Sequence, residues 1–287
     1  VSAPLTRAEV LALRRRVVAA AQARRRPPRL PPALPPSGPL LAYERALTGL
    51  SDAMDDAILA VLREEGLAPR TDAEGSVPDL GPAVARRVSG KVQRALRRLL
   101  KDRSMVARIE EVAQSTARHS RAQWQKQVKA SLGIDLPASD PDFGPLFQAF
   151  RRENTDLIVS LATDKVDRVR GILADAGTGT RVEEIAKSIR ESTGATRSRA
   201  ELIARDQVLK LNADVTRKRH EAAGVTAYTW STSRDERVRE SHKALDGQRI
   251  PYDTPPVVDP RTGRREHAGR DFQCRCIAEP IIPGFDD

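Results

Sequence analysis

The chain has 287 residues, with 49 Lys and Arg against 39 Asp and Glu, a net charge of +10 and only 3% aromatic side chains. That length supports one or two cores, and with so few aromatics Leu, Val, Ala and Ile must do the packing, which suits helices better than a β-sandwich. No apolar run approaches the roughly 18–20 residues of a membrane span, and two cysteines spaced C-x-C exclude a disulfide scaffold and point to synthesis in a reducing cytosol.

The N-terminus, interrupted by Arg14-Arg-Arg16 and Arg24-Arg-Arg26, does not read as a signal peptide. The missing initiator Met suggests a trimmed or processed start. Charge divides the chain more clearly than any linker. Residues 1–132 hold 24 Lys and Arg against 13 Asp and Glu, residues 133–223 hold 15 of each, and residues 224–287 hold 10 and 11. The positive surplus therefore lies wholly in the first half, as expected of a surface that meets polyanions.

In chain order, Thr6-x-x-Glu9 is a capping-box pattern that opens a helix to about Arg26 with Val10, Leu13 and Val17 on one face. Pro27 and Pro28 stop it. Seven prolines in 27–39 predict an extended strap. A second helix is expected over 40–65, and a loop over 66–82. From Pro82 a helical region extends to about Leu132, with a break near Arg103-Ser104. Pro145 opens a block that ends at Gly177-Thr-Gly179. Short and long helices are expected over 181–192 and 196–223, the latter closed by Gly224. Beyond it Val225 to Thr232 reads as a strand, Arg237 to Leu245 as a short helix, and 249–252 and 276–282 as strands. The fold class is thus mainly α with a small C-terminal α+β domain, an elongated helical body plus a compact cap. The expected divisions are 1–39, 40–150, 151–223 and 224–287.

Two constellations stand out. Arg87, Lys91, Arg94, Arg98 and Lys101 form a basic stripe along the helix at 82–103, opposite an apolar stripe of Val84, Val88, Val92, Leu96 and Leu99. Such a face neutralises duplex phosphates without reading sequence, and it equally suits an acidic protein partner or plain solvent. The second is a tail cluster. His242, His267, Cys274 and Cys276 offer the two nitrogens and two sulfurs of a structural zinc site. A reduced buried cysteine pair, an i,i+2 disulfide, or histidines bound to carboxylates would account for the same residues. A catalytic arrangement, with Asp246 or Asp235 orienting His242 as general base, competes with a capping and ion-pair network of Asp235, Arg237 and Asp246.

The tract Asp235-x-Arg237-Val-Arg239-x-x-His242, then Leu245-Asp246-Gly247 and Cys274-Arg-Cys276, resembles the C-terminal domain of phage Mu F-like proteins, the minor head or head morphogenesis proteins of tailed phages. The likeness extends loosely back to about Asn154. Ala268 stands where relatives often carry proline in His-Pro-Gly. The resemblance implies a non-enzymatic virion protein present in few copies. It would bind the portal protein, the inner capsid or scaffold surface and double-stranded DNA, with no membrane partner, in the virion interior at the portal vertex and in host cytoplasm during assembly. The alternative is a nucleic-acid-processing enzyme or toxin-type domain built around His242 and Asp246. The last strand candidate ends five residues before the end of the sequence, so no C-terminal effector is expected.

Overall fold

The computed structural model describes residues 4–24, 30–31, 33–67, 82–137, 139–176 and 182–282. The helices are α1 Arg7–Gln22, α2 Ser37–Glu64, α3 Pro82–Leu100, α4 Ser104–Leu132, α5 Gly144–Asp175, α6 Val182–Ala222 and α7 Glu240–Lys243. The strands are β1 Ala227–Ser231, β2 Arg249–Pro251, β3 Val257–Asp259, β4 Arg264–Arg265 and β5 Ile277–Pro280. The chain is therefore mainly α with a small α+β part near its C-terminus. No described helix is long and apolar enough to cross a membrane.

Two compact units are each discontinuous in sequence. One comprises residues 41–110 and 151–204. Its core joins Met54, Ile58 and Leu62 of α2, Val88, Val92 and Leu96 of α3, Val166, Val169 and Leu173 of α5, and Ile185 and Ile189 of α6. The i, i+4 spacing of Val88, Val92 and Leu96 puts one face of α3 inward. No aromatic enters this core cluster among the described residues, as the composition required. Two polar contacts are buried beside it. The Tyr43 hydroxyl donates to Asn154 Oδ1 at 2.7 Å, and Lys165, its side chain 3% exposed, pairs with Asp55. At the surface, Arg87 and Lys91 both pair with Glu65, whose carboxyl they hold below its usual range, Lys91 most strongly.

The other unit comprises residues 1–40, 111–150 and 205–287. Both halves of the capping box form on α1: Glu9 N donates to Thr6 Oγ1 at 3.3 Å, and Thr6 N to Glu9 Oε2 at 2.8 Å. Leu13, Val17 and Ala21 then pack on Trp124, Val128 and Leu132 of α4. Arg14 donates to the carbonyls of Glu221 at 2.8 Å and Ala222 at 3.3 Å, closing the C-terminus of α6. Gly224 follows at φ +88°, a conformation that favours glycine, and a Cβ there would press on Arg14 Cγ at 3.2 Å. The proline strap lies partly outside the described residues. Its described carbonyls are held by α4: Gln127 Nε2 donates to Pro31 O at 2.5 Å, and His119 Nε2 lies 3.0 Å from Leu34 O.

Several boundaries differ from expectation. The helix expected to run to Arg26 ends at Gln22. The break near residue 103 occurs where the Asp102 carboxylate accepts from Ser104 N and Oγ, both at 2.9 Å. The two helices expected over 181–223 are one 41-residue helix, α6. Gly194 lowers helix propensity by only about 1 kcal/mol, and no proline removes a backbone donor there. The stops at Gly177-Thr-Gly179 and at Pro27-Pro28 lie outside the described residues. In the cap, β1 pairs antiparallel with both β2 and β5, in the order β2-β1-β5. Between the two expected strands 249–252 and 276–282, where no strand was expected, lies the β3–β4 hairpin.

Candidate metal centre

β1 is the spine of the cap, and its Trp230 and Tyr228 are fully buried. After β1 the chain turns back at Arg234, whose φ is +55°. Asp246 accepts from Thr232 N at 2.8 Å, and Gly247 N donates to Trp230 O at 2.8 Å. These contacts clamp α7 against β1 and present His242 inward, 2% exposed, its ring edge-on to Trp230 at 5.4 Å. The second half of the site is the stretch before β5. Gln273, at φ +51°, donates its backbone N–H to Asp206 at 2.7 Å. Arg275 makes a two-pronged pair with Asp235 at 2.6 and 2.7 Å. Arg275 lies between the two cysteines, so this pair pins Cys274 and Cys276 against the 233–237 turn.

The result is a converging donor set. His242 Nδ1 lies 3.6 Å from Cys274 Sγ and 3.5 Å from Cys276 Sγ, and the three donor atoms are mutually within 4.8 Å. A tetrahedral ion with Zn–S near 2.3 Å and Zn–N near 2.05 Å places nitrogen and sulfur about 3.6 Å apart. The group therefore has the spacing of a metal's coordination sphere. On the far side of the imidazole, Nε2 lies 3.1 Å from Asp271 Oδ2. Asp271 is itself held by Arg239 at 3.1 Å and Arg264 at 2.6 Å. A carboxylate on the distal nitrogen is the arrangement that orients a metal-ligating histidine.

Among themselves the three groups hold their protons unevenly, and only Cys274 is shifted toward the thiolate that a metal takes. A hydrogen bond from Cys276, opposed by burial and reinforced by His242, lowers Cys274 to about 5. The Cys276 thiol is pushed up, first by donating to Cys274 and then by burial. Burial opposes charge on His242, but Cys274 and Asp271 together outweigh it and raise the imidazole.

The other expected ligand lies elsewhere. His267 is outside the group of three. Its Nδ1 lies 3.1 Å from the Tyr228 hydroxyl, and its ring stands edge-on to Tyr228 and Tyr252, 5.7 Å from each. Burial, with the nearby Arg217 adding to it, lowers it to about 4, so it is a neutral core histidine. The carboxylate on His242 is Asp271, not Asp235 or Asp246, which serve backbone and arginine contacts. Arg237 has no ion-pair partner among the described residues, and only its backbone N–H engages Asp235, at 3.0 Å. Asp271 was not singled out in the sequence, although an acid between a histidine and a C-x-C pair was the available signal.

The three donors line a cavity of about 460 Å³ whose wall also carries Arg205, Arg237, Arg239 and Arg275. Of the expected DNA-contacting residues, Arg87, Arg94, Arg98 and Lys101 are exposed and Lys91 is half-buried. Arg87 and Lys91 are the two engaged by Glu65.

Comparison with known proteins gives a relative and a family. Residues 170–279 match the family described as Phage Mu protein F like protein. An uncharacterized protein of Haemophilus influenzae is 38% identical over 165 residues, covering 56% of this chain and 36% of the relative. The chain thus spans about a third of that relative's length. No solved structure matches. The resemblance first carried by Asp235 to Gly247 and Cys274-Arg-Cys276 holds: the matched residues 170–279 contain His242, Asp271 and both cysteines.

Proposed function

We propose that this chain is a minor head protein of a tailed phage or phage-like particle, acting in head assembly or DNA delivery without catalytic turnover. The match of residues 170–279 to the Phage Mu protein F like family carries this reading. The partners are the portal protein, the inner surface of the capsid or scaffold, and packaged duplex DNA. The location is the virion interior at the portal vertex, reached from the host cytoplasm during assembly.

The exposed basic face of α3 is the DNA-directed surface in this reading. Arg94, Arg98 and Lys101 point to solvent there, and contacts of this kind are sequence-independent. The cap contributes a zinc ion held by His242, Cys274 and Cys276. Thiolates and imidazole are the donors zinc prefers, and the ion would tie α7 to the stretch before β5 that carries both cysteines.

Imaging of particles assembled with and without the gene tests the assignment. The expected result is helical density at the portal vertex that disappears with the gene, accompanied by loss of infectious particles. Normal infectious particles without the gene overturn it.

A further inference from the structure

Resting on that zinc reading, we propose that the ion held by His242, Cys274 and Cys276 keeps one coordination position open to the adjoining cavity, where it binds an oxygen of a phosphate group.

The donor count comes first. Among the described residues only three donors come together, whereas tetrahedral zinc takes four ligands, and a site with three protein ligands leaves its fourth position to an outside molecule. His267 does not supply it, being engaged with Tyr228 in the aromatic core. All three donors line the same cavity of about 460 Å³, so the fourth position faces a space ample for a phosphate group with more chain attached.

Charge then selects the ligand. Zinc with two thiolates and a neutral imidazole carries no net charge. Of the four arginines on the cavity wall, Arg239 is paired with Asp271 and Arg275 with Asp235. Arg205 and Arg237 are exposed and have no ion-pair partner among the described residues. No aspartate or glutamate lines the cavity. The opening is therefore net positive, with two unpaired guanidinium forks on the wall of the cavity that the three donors line. Guanidinium groups match the oxygens of phosphate in two-pronged fashion. Two forks and a metal ion engage three oxygens on one centre, which a phosphate has and a carboxylate lacks. Free phosphate and a terminal phosphate of a nucleic acid present the same chemistry.

The test uses the full chain, with metal content measured alongside binding. Inorganic phosphate, acetate, and an oligothymidylate with and without a 5′-phosphate are titrated into zinc-loaded protein, and phosphate also into cobalt-substituted protein. Phosphate should shift the visible absorption of bound cobalt, a signature of direct coordination, and acetate should bind far more weakly. The Arg205→Gln/Arg237→Gln double variant should keep its metal and bind phosphate at least about tenfold more weakly. Tighter binding of the 5′-phosphorylated oligonucleotide than of inorganic phosphate would identify nucleic-acid ends as the source, and the reverse would identify the free anion. Full metal occupancy with an unmoved cobalt spectrum, or unchanged binding in the double variant, overturns the open phosphate position alone. Absence of bound metal in protein never exposed to chelator overturns the zinc reading, and this inference with it.

Discussion

Asp271 decides which nitrogen His242 turns toward the cysteines. Its Oδ2 lies 3.1 Å from Nε2, and since a carboxylate can only accept, Nε2 carries the proton and Nδ1 presents its lone pair to Cys274 and Cys276 in the neutral ring. The carboxylate is 1% exposed and braced by Arg239 and Arg264, so the ring has little freedom to rotate away.

Replacing that brace should weaken the metal site without removing a ligand. Asp271→Asn is expected to lower zinc affinity by roughly 10–100-fold, the usual effect of losing such an outer partner, as read by competition with a chelator. His267→Gln should leave zinc stoichiometry unchanged. Loss of zinc in the His267 variant would restore that residue as a ligand and contradict the three-donor group.

The salt dependence of DNA binding should report how many cations of α3 are free. If Arg94, Arg98 and Lys101 each neutralise a phosphate, the log–log slope is about −2.7, from roughly 0.9 per contact. Glu65→Gln releases Arg87 and Lys91 from their ion pairs and should steepen it toward about −4.5. An identical slope in the two proteins would mean this face does not meet DNA.

In the same unit as α3, Lys165→Met should destabilise by about 3 kcal/mol, because it strands Asp55 in a largely buried position. The double variant Lys165→Met/Asp55→Leu should recover most of that loss, since burying a pair of charges costs desolvation that two apolar side chains avoid. Denaturant unfolding of the parent chain and the two variants measures both effects. A double variant no more stable than the single one would mean that the pair itself is a net stabiliser.

Two histidines make stability depend on pH. Burial, helped by Arg219, lowers His220 to about 3, and His267 lies at about 4, both from an ordinary value of 6.5. The unfolded chain therefore binds protons that the folded chain refuses, and stability is full above about pH 6.5 and falls as pH drops toward the folded values. At about pH 5 each histidine should cost about 2 kcal/mol. Unfolding free energies at pH 7.5 and 5 test this, and His220→Gln should flatten the dependence. A flat profile in the parent chain would show that these rings are protonated in the fold.

Much of the local structure was legible in residue order. The Thr6–Glu9 capping box, the Val88-Val92-Leu96 face, the break near Arg103-Ser104 and the β-branched run of β1 depend on neighbours a few positions away, and periodicity reports such neighbours directly. Val182–Ala222 is one helix where two were expected, because no proline interrupts it and Ile185 and Ile189 pack with distant helices. The C-x-C pair and His242 were visible as metal-type residues for the same local reason: rare side chains concentrated near one end.

What residue order left open is which identical side chain does which work. His242 and His267 are equally good ligands in a list, yet one faces two sulfurs and the other an aromatic core. Arg87 and Arg94 share a stripe, yet Glu65 engages only the first of them. Asp246 sits one turn from His242 in sequence, while Asp271, 29 residues away, makes the contact. Each outcome depends on where a remote segment returns, and at these positions the free energy comes from burial and pairing across the fold rather than from adjacent residues. Composition and local pattern thus determine the helices, the cap and the ligand types, whereas long-range packing assigns the ligands, their orienting carboxylate and the cations left free.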